Sequence, residues 1–118
     1  MSETIVCVDD EPALCRLFRA LLSTTGASVE TFTDPYQALE FLEGHEVALV
    51  VCDFRMPALS GLDLLARVHK TVPFVMVSGD LDVTKLVEGV RGVTAVLSKP
   101  FPPERLIEIA RAHLHGAS

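Results

Sequence analysis

The sequence predicts a doubly wound α/β fold built on a five-stranded parallel sheet. Three observations carry this. Five short apolar runs rich in β-branched residues recur along the chain, at 4–8, 28–32, 47–53, 73–77 and 94–98. Segments with helical periodicity separate them, as parallel strands require. Four of the runs end in a polar residue: Asp9 and Asp10, Asp53, Ser78, and Lys99. In open parallel sheets, ligands bind outside the carboxyl ends of the strands, near the point where strand order reverses. The spacing therefore brings three carboxylates, a hydroxyl and an ammonium to one pocket.

The elements follow in order. After the first strand, Pro12 suits the first turn of a helix, and Leu14, Leu17, Phe18, Leu21 and Leu22 form its apolar stripe. Gly26 ends that unit. The second strand runs over 28–32, and Asp34-Pro35 is a cap followed by a first-turn residue. That helix carries Ala38, Leu39, Phe41 and Leu42, and Gly44 closes it. The third strand is 47–53. A loop from Phe54 to Gly61 leads to a helix bearing Leu62, Leu64, Leu65 and Val68. The fourth strand is 73–77. A fourth helix over 82–90 holds β-branched valines and ends among glycines, which predicts a short or mobile element. The fifth strand is 94–98, and a last helix from Pro103 places Leu106, Ile107, Ile109, Ala110 and Leu114 at helical spacing.

Composition narrows the function. The chain has 118 residues, 49% of them hydrophobic, enough for one domain with a real core. The net charge of −6 argues against binding nucleic acid, which needs basic clusters. No apolar stretch approaches the roughly 18 residues of a membrane span, and no signal sequence opens the chain, so a cytoplasmic location is expected. Nothing after His115 is long enough to form an output domain. The cysteines, Cys7, Cys15 and Cys52, lack metal spacing, and Cys7 and Cys52, within strand runs, read as small hydrophobes. His45, His69, His113 and His115 fall near helix ends or the C-terminus, and His113 and His115 alone make poor zinc geometry.

Crowding Asp9, Asp10 and Asp53 is costly unless a cation or proton neutralises them. A hard divalent cation such as Mg²⁺ suits this oxygen-rich set. Asp53 is the candidate nucleophile, since aspartates form acyl-phosphates. Lys99 suits contact with phosphate, and Ser78 can donate to a phosphoryl oxygen. Gly79 leaves the pocket open.

Four stretches carry a resemblance: Val8-Asp9-Asp10-Glu11; Asp53-Phe54-Arg55-Met56-Pro57 with Gly61 after it; Val77-Ser78-Gly79; and Ser98-Lys99-Pro100-Phe101. Together and in this order they resemble the receiver domain of two-component response regulators, over the whole chain, 1–118. The resemblance implies a flavodoxin-like (βα)5 fold with strand order 2-1-3-4-5. It implies Asp53 as phosphoacceptor, supplied by a histidine kinase or phosphotransfer protein. Asp10, Asp53 and the Arg55 carbonyl would bind Mg²⁺ directly, with Asp9 acting through water. Ser78 and Lys99 would contact the phosphoryl group, and the Lys99-Pro100 bond would be cis. The output would shift the face of the fourth helix, fifth strand and fifth helix, toward an unidentified partner or a C-terminal output domain outside this chain. Such a domain promotes only its own phosphorylation and dephosphorylation, and is otherwise not an enzyme.

Two departures stand out. Many receivers carry an aromatic residue on strand five where this chain has Val96, so a ring flipping inward is unavailable. Arg55 and Asp80 lie two residues beyond Asp53 and Ser78, with opposite charges. They are expected to pair across the entrance, or Arg55 to meet the phosphoryl oxygens, and so slow water. Three other classes fit the sequence less well. An aspartyl-nucleophile phosphatase wants a second carboxylate where Arg55 stands. A nucleotide or flavin module wants a Gly-rich loop where Glu11-Pro12 stands. A docking or dimerisation receiver with vestigial phosphorylation would not need the intact pocket.

Overall fold

The computed structural model describes residues 3–114, with 81–83 as backbone only. Strands and helices alternate: β1 (Thr4–Val8), α1 (Pro12–Leu22), β2 (Ser28–Phe32), α2 (Pro35–Gly44), β3 (Leu49–Asp53), α3 (Gly61–Arg67), β4 (Phe74–Ser78), α4 (Leu81–Glu88), β5 (Val93–Ser98) and α5 (Pro103–His113). All four strand pairs are parallel, and the sheet order is β2-β1-β3-β4-β5, as expected.

The apolar runs are continuous because both sheet faces are covered. Successive side chains go to opposite faces. Ile5 and Cys7 join Phe18 and Leu22 of α1 and Leu106, Ile109 and Ala110 of α5 in one core. Val6 and Val8 join Ala38 and Leu42 of α2, Leu64 of α3 and Val87 of α4 in the other. Strands β3 and β4 are buried throughout and β1 from Ile5 on, whereas the edge strands β2 and β5 mix buried and open positions.

Local chemistry explains the helix starts. Asp34 accepts a hydrogen bond from the Tyr36 amide at 2.9 Å, with Pro35 opening α2. Ser60 and Asp63 form a reciprocal capping box on α3, a device that satisfies two orphan amides. Pro12 and Pro103 occupy the first turns of α1 and α5.

Several boundaries differ from expectation. β3 begins at Leu49, not Val47; the Ala48 amide instead donates to the Thr4 carbonyl at 2.8 Å, bridging to the start of β1. β4 starts at Phe74, since Pro73 has no amide to give, and extends through Ser78. β5 starts one residue early, at Val93, after Gly92 turns the chain at φ 99°. α3 stops at Arg67, and Val68 is already extended at ψ 122° although its side chain still packs on the core. α4 spans Leu81–Glu88, short as expected, beginning one residue and ending two residues before the expected 82–90. A 3-10 turn over Ser23–Thr25 prolongs α1 before Gly26 caps it at φ 88°. Gly44 is the last helical residue of α2 rather than a left-handed cap. His115 lies outside the described residues.

Candidate functional site

The strand order reverses at β1, which pairs with β2 on one side and β3 on the other. Val8 faces Cys52 in the β1–β3 register. The next residues, Asp9 and Asp53, therefore leave the sheet side by side at its carboxyl edge. Oxygen atoms of Asp9, Asp10 and Asp53 all lie within 4.8 Å of one another. Asp9 and Asp53 are buried, while Asp10 is exposed at the rim. An open cleft of about 420 Å³ runs on from Asp10 along Phe54, Arg55, Met56, Pro57 and Ser60.

Lys99 enters from the end of β5. Its ammonium donates to Asp53 Oδ1 at 2.9 Å and stands 3.9 Å from Asp9 Oδ2. The Lys99-Pro100 peptide bond is cis, as expected. Asp9 Oδ1 accepts from the Glu11 amide at 2.9 Å, but Asp9 Oδ2 is buried with no hydrogen bond. A buried orphan oxygen is costly, and a cation seated among these carboxylates would satisfy it.

The electrostatics agree with this picture. Burial pushes the Asp9 carboxyl up to about 6, the Glu11 amide opposes the shift, and the Asp53 charge adds to it. Burial also raises Asp53, while the hydrogen bond and charge of Lys99 hold that rise back. For Lys99, burial opposes the charged form, but the bond to Asp53 and the surrounding carboxylates outweigh it, so its pKa ends raised. The site is thus short of positive charge.

Ser78 sits at the end of β4, beside Asp53: the register pairs Asp53 with Val77. Its hydroxyl donates to the Asp80 carbonyl at 3.2 Å and accepts from the Asp80 amide at 3.1 Å. A Cβ on Gly79 would come no nearer than 4.0 Å to the Lys99 Cβ, so that position is uncrowded. Arg55 turns its guanidinium to Asp80, Nη2 to Oδ2 at 3.1 Å. Val96 is half-buried against the second core cluster.

The chain matches the family description "Response regulator receiver domain" over residues 5–111. It belongs to that family. Relatives include the transcriptional regulatory protein FixJ of Bradyrhizobium diazoefficiens, 32% identical over 117 residues, covering 96% of this chain and 57% of that protein. The regulatory protein VanRc of Enterococcus gallinarum is 32% identical over 117 residues, covering 97% of this chain and 51% of that protein. Chemotaxis protein CheY4 of Vibrio cholerae superposes with a TM-score of 0.85 at 26% identity, covering 97% of this receiver and all of that chain. The receiver spans roughly a quarter to three fifths of the length of such curated relatives. Among the described residues, no helix is long and apolar enough to cross a membrane.

Sequence reasoning missed two contributors to this receiver's site, Cys15 and Thr84, and gave Gly61 only as part of a motif. The buried Cys15 thiol donates to the Asp9 carbonyl at 3.3 Å, tying α1 to the end of β1. Thr84 Oγ1 donates to the Asp80 carbonyl at 3.0 Å and meets Ser98 Oγ at 3.3 Å. Gly61 lies so close under β3 that a Cβ would stand 2.9 Å from the Asp53 carbonyl. Only Gly61 had a signal in the sequence, as the glycine that closes the loop. The cysteine and threonine looked like ordinary helix residues.

Proposed function

We propose that this receiver, read as residues 1–118, is a phospho-accepting switch of a two-component phosphorelay. Asp53 is the phosphoacceptor, and a histidine kinase or phosphotransfer protein in the cytoplasm is the donor. The observation that carries this reading is the buried Asp53 carboxylate held 2.9 Å from Lys99, inside a three-carboxylate cluster with an orphan oxygen. Solvated rim carboxylates would have neither the burial nor the lysine.

In the transfer, an Asp53 carboxylate oxygen bonds to phosphorus as the P–N bond to the donor imidazole breaks. The electron pair of that bond stays on the imidazole nitrogen, which takes up a proton. Lys99 moves its hydrogen bond from the carboxylate to a phosphoryl oxygen, and the Ser78 hydroxyl donates to another. The donor set fits Mg²⁺: Asp10, Asp53 and the Arg55 carbonyl would hold it directly, and Asp9 through water. When bound, the cation neutralises charge on the transferring oxygens.

The phosphoryl group carries close to two negative charges where the Asp53 carboxylate carried one. Its charge-assisted bonds to Lys99 and Ser78 then shift the population of the α4–β5–α5 face toward an output-binding form. Moving from 1:99 to 99:1 takes about 5.5 kcal/mol of differential stabilisation, within reach of several such bonds. The output partner, or an output domain outside this chain, reads that face. The Arg55–Asp80 pair narrows the approach of water to the acyl-phosphate and lengthens its lifetime. An aspartyl-nucleophile phosphatase is disfavoured, because the place of its acid–base carboxylate is taken by Arg55, engaged with Asp80.

Intact mass after incubation with Mg²⁺ and a small acyl phosphate tests the reading, with Asp53→Asn in parallel. One added phosphoryl group that needs both Mg²⁺ and Asp53 is expected. No addition to the folded wild-type protein would leave a docking receiver instead.

A further inference from the structure

The position that carries an aromatic ring in many receivers is Val96 here, and hydroxyl side chains join α4 to β5. The Asp80 carbonyl accepts from the Ser78 hydroxyl at 3.2 Å, the Thr84 hydroxyl at 3.0 Å and the Thr84 amide at 2.9 Å. Among the described residues, three donors thus converge on an oxygen with two lone pairs. Thr84 Oγ1 also meets Ser98 Oγ at 3.3 Å. Each hydroxyl has one proton, so with Thr84 donating to Asp80, Ser98 donates to Thr84. Thr84 is itself buried on α4, and Ser98 immediately precedes Lys99 on β5.

We propose that Thr84 and Ser98 form a hydroxyl relay that couples the Ser78 switch to β5, in place of a rotating aromatic ring. The inference rests on Asp53 accepting a phosphoryl group. A phosphoryl oxygen draws the single Ser78 proton, since a bond to an anionic acceptor is about twice as strong as one to a neutral carbonyl. The two-way clamp between Ser78 and Asp80 then opens. The Asp80 carbonyl is not orphaned, because both Thr84 donors stay on it. Asp80 and the start of α4 move together, and the Thr84 hydroxyl passes the shift to Ser98. Lys99, changing partner on the phosphoryl group, moves the same stretch of β5 from the other side. Val96 lies two residues from Ser98, hence on the same strand face, and packs on the second core cluster. The relay therefore ends on the apolar side chain beneath the output face. Thr84 and Ser98 are positioning residues in this scheme, since their hydroxyls bond to Asp80 and to each other and both act through Ser78 and Lys99.

Amide hydrogen exchange at residues 95–97, with and without Mg²⁺ and acyl phosphate, tests the relay in wild type, Thr84→Val, Thr84→Ser and Ser98→Ala. Intact mass is read on the same samples. All four proteins are expected to gain one phosphoryl group. Phosphorylation should change exchange at 95–97 in wild type and Thr84→Ser, and lose most of that change in Thr84→Val and Ser98→Ala. A full response in both of the latter variants overturns the relay. Where Thr84→Val fails to fold, Ser98→Ala alone decides. Should wild type gain no phosphoryl group, the phosphoacceptor reading has failed, and the resting contact is judged separately. Thr84→Val and Ser98→Ala should then speed exchange in α4 without adding to one another, and additive effects overturn it.

Discussion

The Lys99 ammonium is the one cationic side chain paired with the buried acids among the described residues, 2.9 Å from Asp53 and 3.9 Å from Asp9. It arrives from the fifth strand, two strands away from β3 in the sheet. The acid cluster is held together by a residue 46 positions distant from Asp53 in sequence, 99 less 53.

Lys99→Met should therefore leave the Asp53 carboxylate without its neutralising partner. Its carboxyl is expected to titrate higher still, because burial then acts unopposed. Stability at pH 7 should fall by ~1–3 kcal/mol, less than the ~3–5 kcal/mol for a fully buried pair, because Lys99 is partly exposed. Carboxyl NMR titration and chemical denaturation check the two effects. An unchanged Asp53 titration would separate Lys99 from the site's electrostatics.

Asp9 gives the metal-free protein a definite pH dependence. Its folded pKa is raised to about 6 from the ordinary carboxyl value of 3.8, so the folded state binds more protons than the unfolded one between those values. Stability from this group is present below about pH 4 and is lost as pH rises through 6. Asp9→Asn keeps an oxygen for the Glu11 amide and removes the charge. Without Mg²⁺, it should stabilise the protein at pH 7 by on the order of 1 kcal/mol, a few degrees in Tm, and the gain should vanish toward pH 4. Mg²⁺ should raise the wild-type Tm more at pH 7 than at pH 5, and Asp9→Asn should blunt that rise. Melting curves across pH settle the sign.

The Arg55–Asp80 pair should matter for lifetime and not for stability. The side chains are 71% and 40% exposed, so the pair contributes under ~1 kcal/mol to folding. Arg55→Ala and Asp80→Ala are each expected to speed loss of the phosphoryl group by up to about tenfold, equivalent to ~1.4 kcal/mol of barrier. Unchanged decay of the phosphorylated mass in both variants would remove the gate.

Gly61→Ala should disturb the site from below. The added methyl would meet the Met76 side chain and stand 2.9 Å from the Asp53 carbonyl. Met76 has a flexible thioether that can shift, but a strand carbonyl cannot. Overpacking of this kind costs ~1–3 kcal/mol, and displacement of Asp53 should slow phosphoryl uptake. Denaturation and time-resolved intact mass measure both. Wild-type uptake in a destabilised variant would confine the role of Gly61 to packing.

The sequence by itself determined the strand–helix alternation, the burial of both sheet faces and the meeting of Asp9, Asp10, Asp53, Ser78 and Lys99 at one edge. Those properties follow from local periodicity and from the direction of parallel strands, both of which are written in neighbouring residues. The tertiary structure alone decided which partner each polar group takes. Strand β1 lies between β2 and β3, so Asp9 meets Asp53, and Asp9 Oδ2 is left buried and unbonded. Arg55 took Asp80 as its partner. The Cys15 thiol found the Asp9 carbonyl, and Thr84 found Ser98 across the α4–β5 gap. Hydrogen bonds of this kind act over about 3 Å, so they depend on how loops and helix starts settle on the sheet, which no sequence period records. For the same reason β3 starts two residues later than its apolar run, where the Ala48 amide bonds to the Thr4 carbonyl instead.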